Sequence, residues 1–314
     1  MNSGRRRTRR AAVAVLLSCT LLGPAGAGCS GAPPKPDPPA KERAGAWNRR
    51  GLAAEARGDR DGALAAFREE LKINRSIEDT DGSAAALVNL ARLHRLDGEL
   101  PSAKEKIDSA LLLVPPESPL FPETAFEKGK IELAAGDLPA AKGWAGRAVL
   151  AEKGASAGRV RNLLARILFL EGNTDDARAR AEDALEANRK AGVRGEEANS
   201  LRLLGDIAAA RADRKAAEGL YLEALAIDKE TAESGKIASD LRALGAVAEA
   251  QGDTARALAF YSRAVDVSRN GDDPKEAAAA LLEMARLHEK AGSPDKAKSA
   301  LAERENLLRE NGKK

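Results

Sequence analysis

Seven times along the chain the same pattern turns at the same point. Its marker is Gly58, Gly98, Gly136, Gly172, Ala212, Gly252 or Gly292, at intervals of 40, 38, 36, 40, 40 and 40 residues. Five residues after each marker stands an alanine: Ala63, Ala103, Ala141, Ala177, Ala217, Ala257 and Ala297. Seven residues before it stands another small residue: Gly51, Ala91, Gly129, Ala165, Gly205, Gly245 and Ala285. Directly after each marker comes a polar residue, Asp59, Glu99, Asp137, Asn173, Asp213, Asp253 or Ser293, and most of these types cap helices well. A period of this length describes a stacked array in which each unit buries its face against its neighbours.

The unit is legible in Leu241–Val267. Leu241, Leu244, Val247 and Ala248 share one helical face, as do Ala257, Leu258, Tyr261, Ala264 and Val265. Gly252 closes the first helix in a left-handed turn and Asp253 opens the second. Composition agrees: 43% of residues are hydrophobic but only 3% aromatic, so the apolar material is mostly Ala, Leu and Val. That suits thin, closely packed helices rather than one thick core.

These positions resemble the tetratricopeptide repeat family over about residues 44–310. Trp47, Gly51, Gly58, Ala63 and Phe67 fit its pattern in the first repeat, and Gly245, Gly252, Ala257, Tyr261 and Ala264 in the sixth. Ala145 and Ala181 stand where an aromatic is usual, and the period of 40 matches the longer, kinesin-light-chain-like variant. The resemblance implies an all-α, right-handed α-solenoid superhelix of about seven helix-turn-helix units, near 44–83, 84–121, 122–157, 158–197, 198–237, 238–277 and 278–310. The four prolines of VPPESPLFP, residues 114–122, read as a longer surface loop or a hinge. The charged end of the last helix, AERENLLREN, reads as a polar cap.

Residues 1–28 read as a secretion signal, with the basic RRRTRR before an apolar run broken by Gly23, Pro24, Gly26 and Gly28. Small residues lead to Cys29, which resembles the lipidated first residue of a bacterial lipoprotein. Gly26 replaces that motif's usual leucine. Leu16-Leu17-Ser18-Cys19 is an alternative with a short apolar segment, and a cleaved signal without lipid is another. Cys19 and Cys29 are the two cysteines of the chain, so lipidation at Cys29 leaves no disulfide. Residues 29–43, with five prolines, read as an extended tether. The expected location is the bacterial envelope, lipid-anchored, on the periplasmic face of the outer membrane.

The formal charge of +3 comes from the N-terminus: without its five arginines, 46 basic residues face 48 acidic ones. That balance does not point to nucleic acid. His94 and His288 occupy equivalent repeat positions, which reads as packing. Gly154-Ala155-Ser156-Ala157-Gly158 matches the G-x-S-x-G elbow, but no strand precedes it, so a hydrolase using Ser156 is a remote alternative. No cofactor motif, metal set or catalytic residue is expected.

What remains is a groove. In the family the first helix of each pair lines the concave face, which implies partner-binding positions at Asn48, Arg92, Arg95, Lys130, Asn162, Arg166, Asn199, Arg202, Arg242 and Arg286. Arginines and amides together hold an extended peptide by its backbone and carboxylates. Leu52 occupies an asparagine position of the family's carboxylate clamp, so a free C-terminus is not the expected ligand. The expected function is a non-catalytic envelope scaffold for a protein or peptide partner, in outer-membrane, pilus or secretion, or cell-wall machinery. A peptide-sensing regulator is the alternative.

Overall fold

The turn marker does in space what its residue type requires. A computed structural model describes residues 39–311. The signal sequence, Cys29 and the tether through residue 38 lie outside the described residues. At Gly252 the backbone takes φ +85°, the Gly252 and Asp253 amides donate back to Glu249 and Ala248 at 2.8 and 3.0 Å, and the Asp253 carboxylate accepts from the Arg256 amide at 3.0 Å. One helix is closed and the next opened within two residues. Asp59, Asp137 and Asp213 cap in the same way. Glu99 instead reaches His94 Nδ1 at 2.6 Å, and Asn173 bonds the Asp176 side chain.

Among the described residues this punctuation yields fourteen helices and no strand, paired as seven hairpins. They are α1 (Pro39–Ala56) with α2 (Arg60–Ser76), α3 (Thr80–Leu96) with α4 (Leu100–Leu111), and α5 (Phe121–Ala134) with α6 (Leu138–Ala151). Then come α7 (Ala157–Leu170) with α8 (Thr174–Ala191), α9 (Arg194–Ala210) with α10 (Arg214–Glu230), α11 (Ser234–Ala250) with α12 (Thr254–Asn270), and α13 (Pro274–Lys290) with α14 (Pro294–Asn311). The array is an all-α solenoid.

Ala212 holds the same left-handed conformation, φ +60°, without the freedom of glycine. A Cβ is strained there. Ala212→Gly is expected to raise stability by about 0.5–1 kcal/mol, read as a higher urea midpoint.

Small residues set the interhelical distance. The alanines after the markers are 0% exposed from Ala63 through Ala257, and Ala297 is 1% exposed. Before the markers, a first-helix glycine receives an aromatic ring from the second helix. A Cβ on Gly51, Gly205 or Gly245 would lie 2.4, 2.7 or 2.5 Å from the ring of Phe67, Tyr221 or Tyr261. Where Ala145 replaces the aromatic, the helices close in instead: a Cβ on Gly129 would sit 3.3 Å from the Ala145 backbone nitrogen.

Several repeat boundaries move. The helix begins at Pro39, so residues 39–43 belong to α1 and not to the tether. Proline fits the first helical turn, and Ala40, Lys41, Glu42 and Arg43 are good helix formers. Similarly α9, α11 and α13 start at Arg194, Ser234 and Pro274, ahead of the boundaries at 198, 238 and 278. Between α4 and α5, the proline-rich segment is pinned by Val114, which is buried with Phe121 and Ala125.

The concave groove as a candidate binding site

The odd-numbered helices line a groove in which two cavities meet. One, of about 530 Å³, lies between α3, α5, α7 and α9, with Arg95, Lys130, Asn162, Arg166, Asn199 and Arg202 in its wall. The other, of about 620 Å³, continues to α11 and α13 and adds Arg242 and Arg286. Arg166, Arg202 and Asp206 line both. Eight of the ten expected groove residues therefore share one surface.

Asn48 and Arg92 are not in that wall. Asn48 Nδ2 donates to both oxygens of buried Glu70 at 3.0 Å, and Arg92 forks onto Glu55 at 3.1 and 2.8 Å. Each is spent on holding α1 against its neighbour.

The arginines follow one rule that their spacing in sequence does not state. Each pairs with a carboxylate on the first helix of an adjacent repeat. Arg92 joins α3 to α1 through Glu55, and Arg95 joins α3 to α5 through Glu127 at 2.6 Å. Arg159 joins α7 to α5 through Glu123, and Arg166 joins α7 to α9 through Asp206 at 2.7 Å. Arg202 joins α9 to α11 through Asp240 at 2.6 Å. Arg242 and Arg286 join α11 and α13 through Glu276 at 2.7 Å and Glu249 at 2.8 Å. All six junctions between successive first helices are bridged. The half-exposed bridges contribute up to about 1 kcal/mol each.

Arg202 differs in kind. Its Nε and Nη2 meet Asp240 and Asp228, both 0% exposed, and its Nη1 donates to Asn199 at 3.0 Å. Burial alone would lower the guanidinium, but the hydrogen bond and charge of Asp240, with Asp228, raise it above its ordinary value. Burial pushes Asp240 up to about 6 against the pull of Arg202. Asn162 is likewise engaged: its Oδ1 accepts from Ser200 Oγ at 2.8 Å, and Ser200 in turn accepts from Asn188 at 3.0 Å. Arg202 and Asn162 line the groove yet act first as ties between repeats.

Lys130 is looser. Glu127 lies 3.9 Å away and the Phe126 ring centroid 5.3 Å away. Burial lowers its ammonium below the usual range; Glu127 offsets part of this, and Arg95 and Arg159 reinforce it.

Burial pushes Glu70 up to about 7, against the hydrogen bond from Asn48 that lowers it. The folded state thus binds this proton more tightly than the unfolded chain, and the stability from it is lost as pH rises from about 4.5 to 7. Glu70→Gln removes that loss. The variant should match the native chain at pH 5 and exceed it by up to about 2 kcal/mol at pH 8, measured by denaturant unfolding.

Ser156 sits in the loop immediately before α7, with no strand among the described residues to deliver it. No three described His, Cys, Asp or Glu side chains are arranged to hold a metal ion, and no described helix is long and apolar enough to cross a membrane.

The tetratricopeptide repeat family model matches residues 156–230, which spans α7 to α10. No curated protein matches the sequence. Solved structures share the fold at low identity. A Rap protein complexed with competence and sporulation factor aligns with TM-score 0.66 at 15% identity, over 86% of this chain and 77% of that one. A signal transduction ATPase with a tetratricopeptide repeat sensor, from Pyrococcus horikoshii, gives 0.64 at 15%, over 86% and 43%. Aspartyl phosphate phosphatase F from Bacillus subtilis gives 0.58 at 15%, over 87% and 75%. The match to the tetratricopeptide repeat model therefore lies on α7 to α10, and the same helix-turn-helix frame extends through all seven hairpins.

Proposed function

We propose that this chain is a non-catalytic interaction scaffold that holds a protein or peptide partner in its concave groove. The observation that carries this is the continuity of the two cavities through Arg166, Arg202 and Asp206. Together they offer an extended trough with charged walls and an alanine-rich floor, the shape and chemistry that suit an extended chain. The complex of the Rap protein with competence and sporulation factor supports a ligand-holding use of this architecture.

The anchoring part of the proposal rests on sequence. A lipid on Cys29, followed by a proline-rich spacer, would hold the array at the periplasmic face of the outer membrane. Metabolic palmitate labelling of the native chain, absent from a Cys29→Ser variant that leaves the membrane fraction, is the expected result. Equal labelling of both would remove the anchor.

The groove is tested by crosslinking pull-down from intact cells, native chain against Arg166→Glu/Arg242→Glu. These arginines are chosen because each makes a single half-exposed bridge, whereas Arg202 holds buried carboxylates. A partner captured by the native chain and lost from the variant supports the groove. The same partners from both would contradict it. A regulatory reading, in which the array senses a peptide, is supported by the sensor role of the repeats in the Pyrococcus horikoshii protein. A ligand-dependent change in radius of gyration would favour it.

A further inference from the structure

Two tyrosines one period apart have the same packing and different hydroxyl chemistry. Tyr221 and Tyr261 lie against Gly205 and Gly245, each ring where a Cβ would fall. Tyr221 donates to Asp206 Oδ1 at 2.8 Å. One period on from Asp206 the chain has Ala246, and the Tyr261 hydroxyl makes no hydrogen bond among the described residues. Tyr261 is 1% exposed, yet it lines the cavity of about 620 Å³. Burial, then Glu283 and Glu249, push its hydroxyl up to about 12, so it stays protonated and acts as a donor.

The other polar groups of this cavity sort by whether they are already used. Its three carboxylates are all occupied. Asp206 accepts from Tyr221 and Arg166, Glu249 takes both Nη groups of Arg286, and Glu283 takes its Nε. Donors remain. Among the described residues Arg242 spends only Nε, on Glu276, and the side chain of exposed Arg214 on the rim makes no ion pair or hydrogen bond. The cavity therefore has a surplus of donors over small floor residues such as Ala243 and Ala246. A ligand that completes it brings acceptors and negative charge.

We infer that the cavity between α9, α11 and α13 is the recognition centre of the groove, and that it takes an extended acidic peptide segment whose Asp or Glu side chains meet Arg242 and Arg214 while an acceptor of the segment receives the Tyr261 hydroxyl. This rests on the groove reading and narrows it to one end of the array. Its volume of about 620 Å³ and its continuity with the second cavity favour a chain over a small anion, and side-chain carboxylates make a free terminus unnecessary.

The test is a fluorescence anisotropy titration of the full chain with a labelled, end-capped peptide of alternating Glu and Ala, and with its Gln and Ala counterpart. The Glu peptide should bind saturably, and the Gln peptide more weakly by about tenfold or more. Tyr261→Phe should weaken the Glu peptide by about tenfold without lowering the melting temperature, because the hydroxyl has no protein partner to lose. Ala246→Asp, which supplies Tyr261 with the acceptor that Tyr221 already has, should abolish binding while the chain still melts cooperatively. If binding is lost in Arg166→Glu/Arg242→Glu but is native-like in Tyr261→Phe and Ala246→Asp, the inference is overturned and the groove reading stands. Binding that survives the double reversal overturns both. Equal affinity for the two peptides, or no saturable binding of either, overturns the inference, and the groove is then judged by the crosslinking capture.

Discussion

Arg202→Met is expected to cost about 3–5 kcal/mol of stability at neutral pH, the largest effect of any single groove substitution. Methionine replaces most of the aliphatic stem, so the loss is electrostatic. Asp228 and Asp240 are 0% exposed, and Arg202 is the cation that bonds both. Without it two buried carboxylates face each other unpaired. The pH dependence identifies the cause. Asp240 already titrates at about 6 in the folded chain, above its unfolded value of 3.8, so its contribution to stability falls as pH rises through that interval. Removing Arg202 takes away the cation that opposes burial and pushes titration higher still. The deficit of Arg202→Met should be largest at pH 8 and shrink toward pH 5, as seen by urea unfolding followed by circular dichroism. Adding Asp228→Asn and Asp240→Asn should recover much of it. A variant as stable as the native chain at pH 8 would show that the cluster is not buried in solution.

Gly245→Val is expected to cost about 3 kcal/mol or more. Its Cβ would fall 2.5 Å from the Tyr261 ring, inside the distance that real side chains allow. The ring is 1% exposed and held in a cluster with Ala248, Ala257 and Leu287, and overpacking of this kind typically costs about 1–3 kcal/mol before the β-branch is counted. Gly219→Ala in α10 is the control. No atom lies within 4 Å of its added Cβ, so it should stabilise by about 0.8 kcal/mol through helix propensity alone. Opposite signs at two helical glycines, read as opposite shifts in melting temperature, separate close approach from propensity. Equal stabilisation at both would mean that Tyr261 does not hold α11 and α12 together.

The fold was legible because its constraint repeats. A left-handed turn, glycine at six of its seven places, and an alanine at each crossing are steric demands made seven times, and a demand made seven times rises above the noise of one sequence. The arginines of the groove were legible for the same reason, as a recurring residue type on first helices. Their partners were not. Glu55, Glu127, Asp206, Asp240, Glu276 and Glu249 sit about one period from the arginines they meet, and their positions within the repeat shift from one junction to the next. In a chain so rich in charge, such carboxylates read as solvated surface. An acidic residue recurring 32–40 residues from each arginine was the signal available. The pairing changes the meaning of the site. Arg202 and Asn162 read as ligand-holding residues and are found tying repeats together, whereas Tyr261 read as packing and has the free hydroxyl. The difference lies in Asp206 and Ala246, which occupy the same point of adjacent units.

The central claim is that the chain works through its concave face. The most direct measurement is photocrosslinking in intact cells with p-benzoylphenylalanine placed singly at Ala209 or Ala246 on the groove floor, and at Leu150 or Leu222, which are exposed on second helices. Adducts to one common partner from Ala209 and Ala246, with none from Leu150 and Leu222, are the predicted result. Adducts from Leu150 and Leu222 alone would place the working surface on the opposite face and contradict the account.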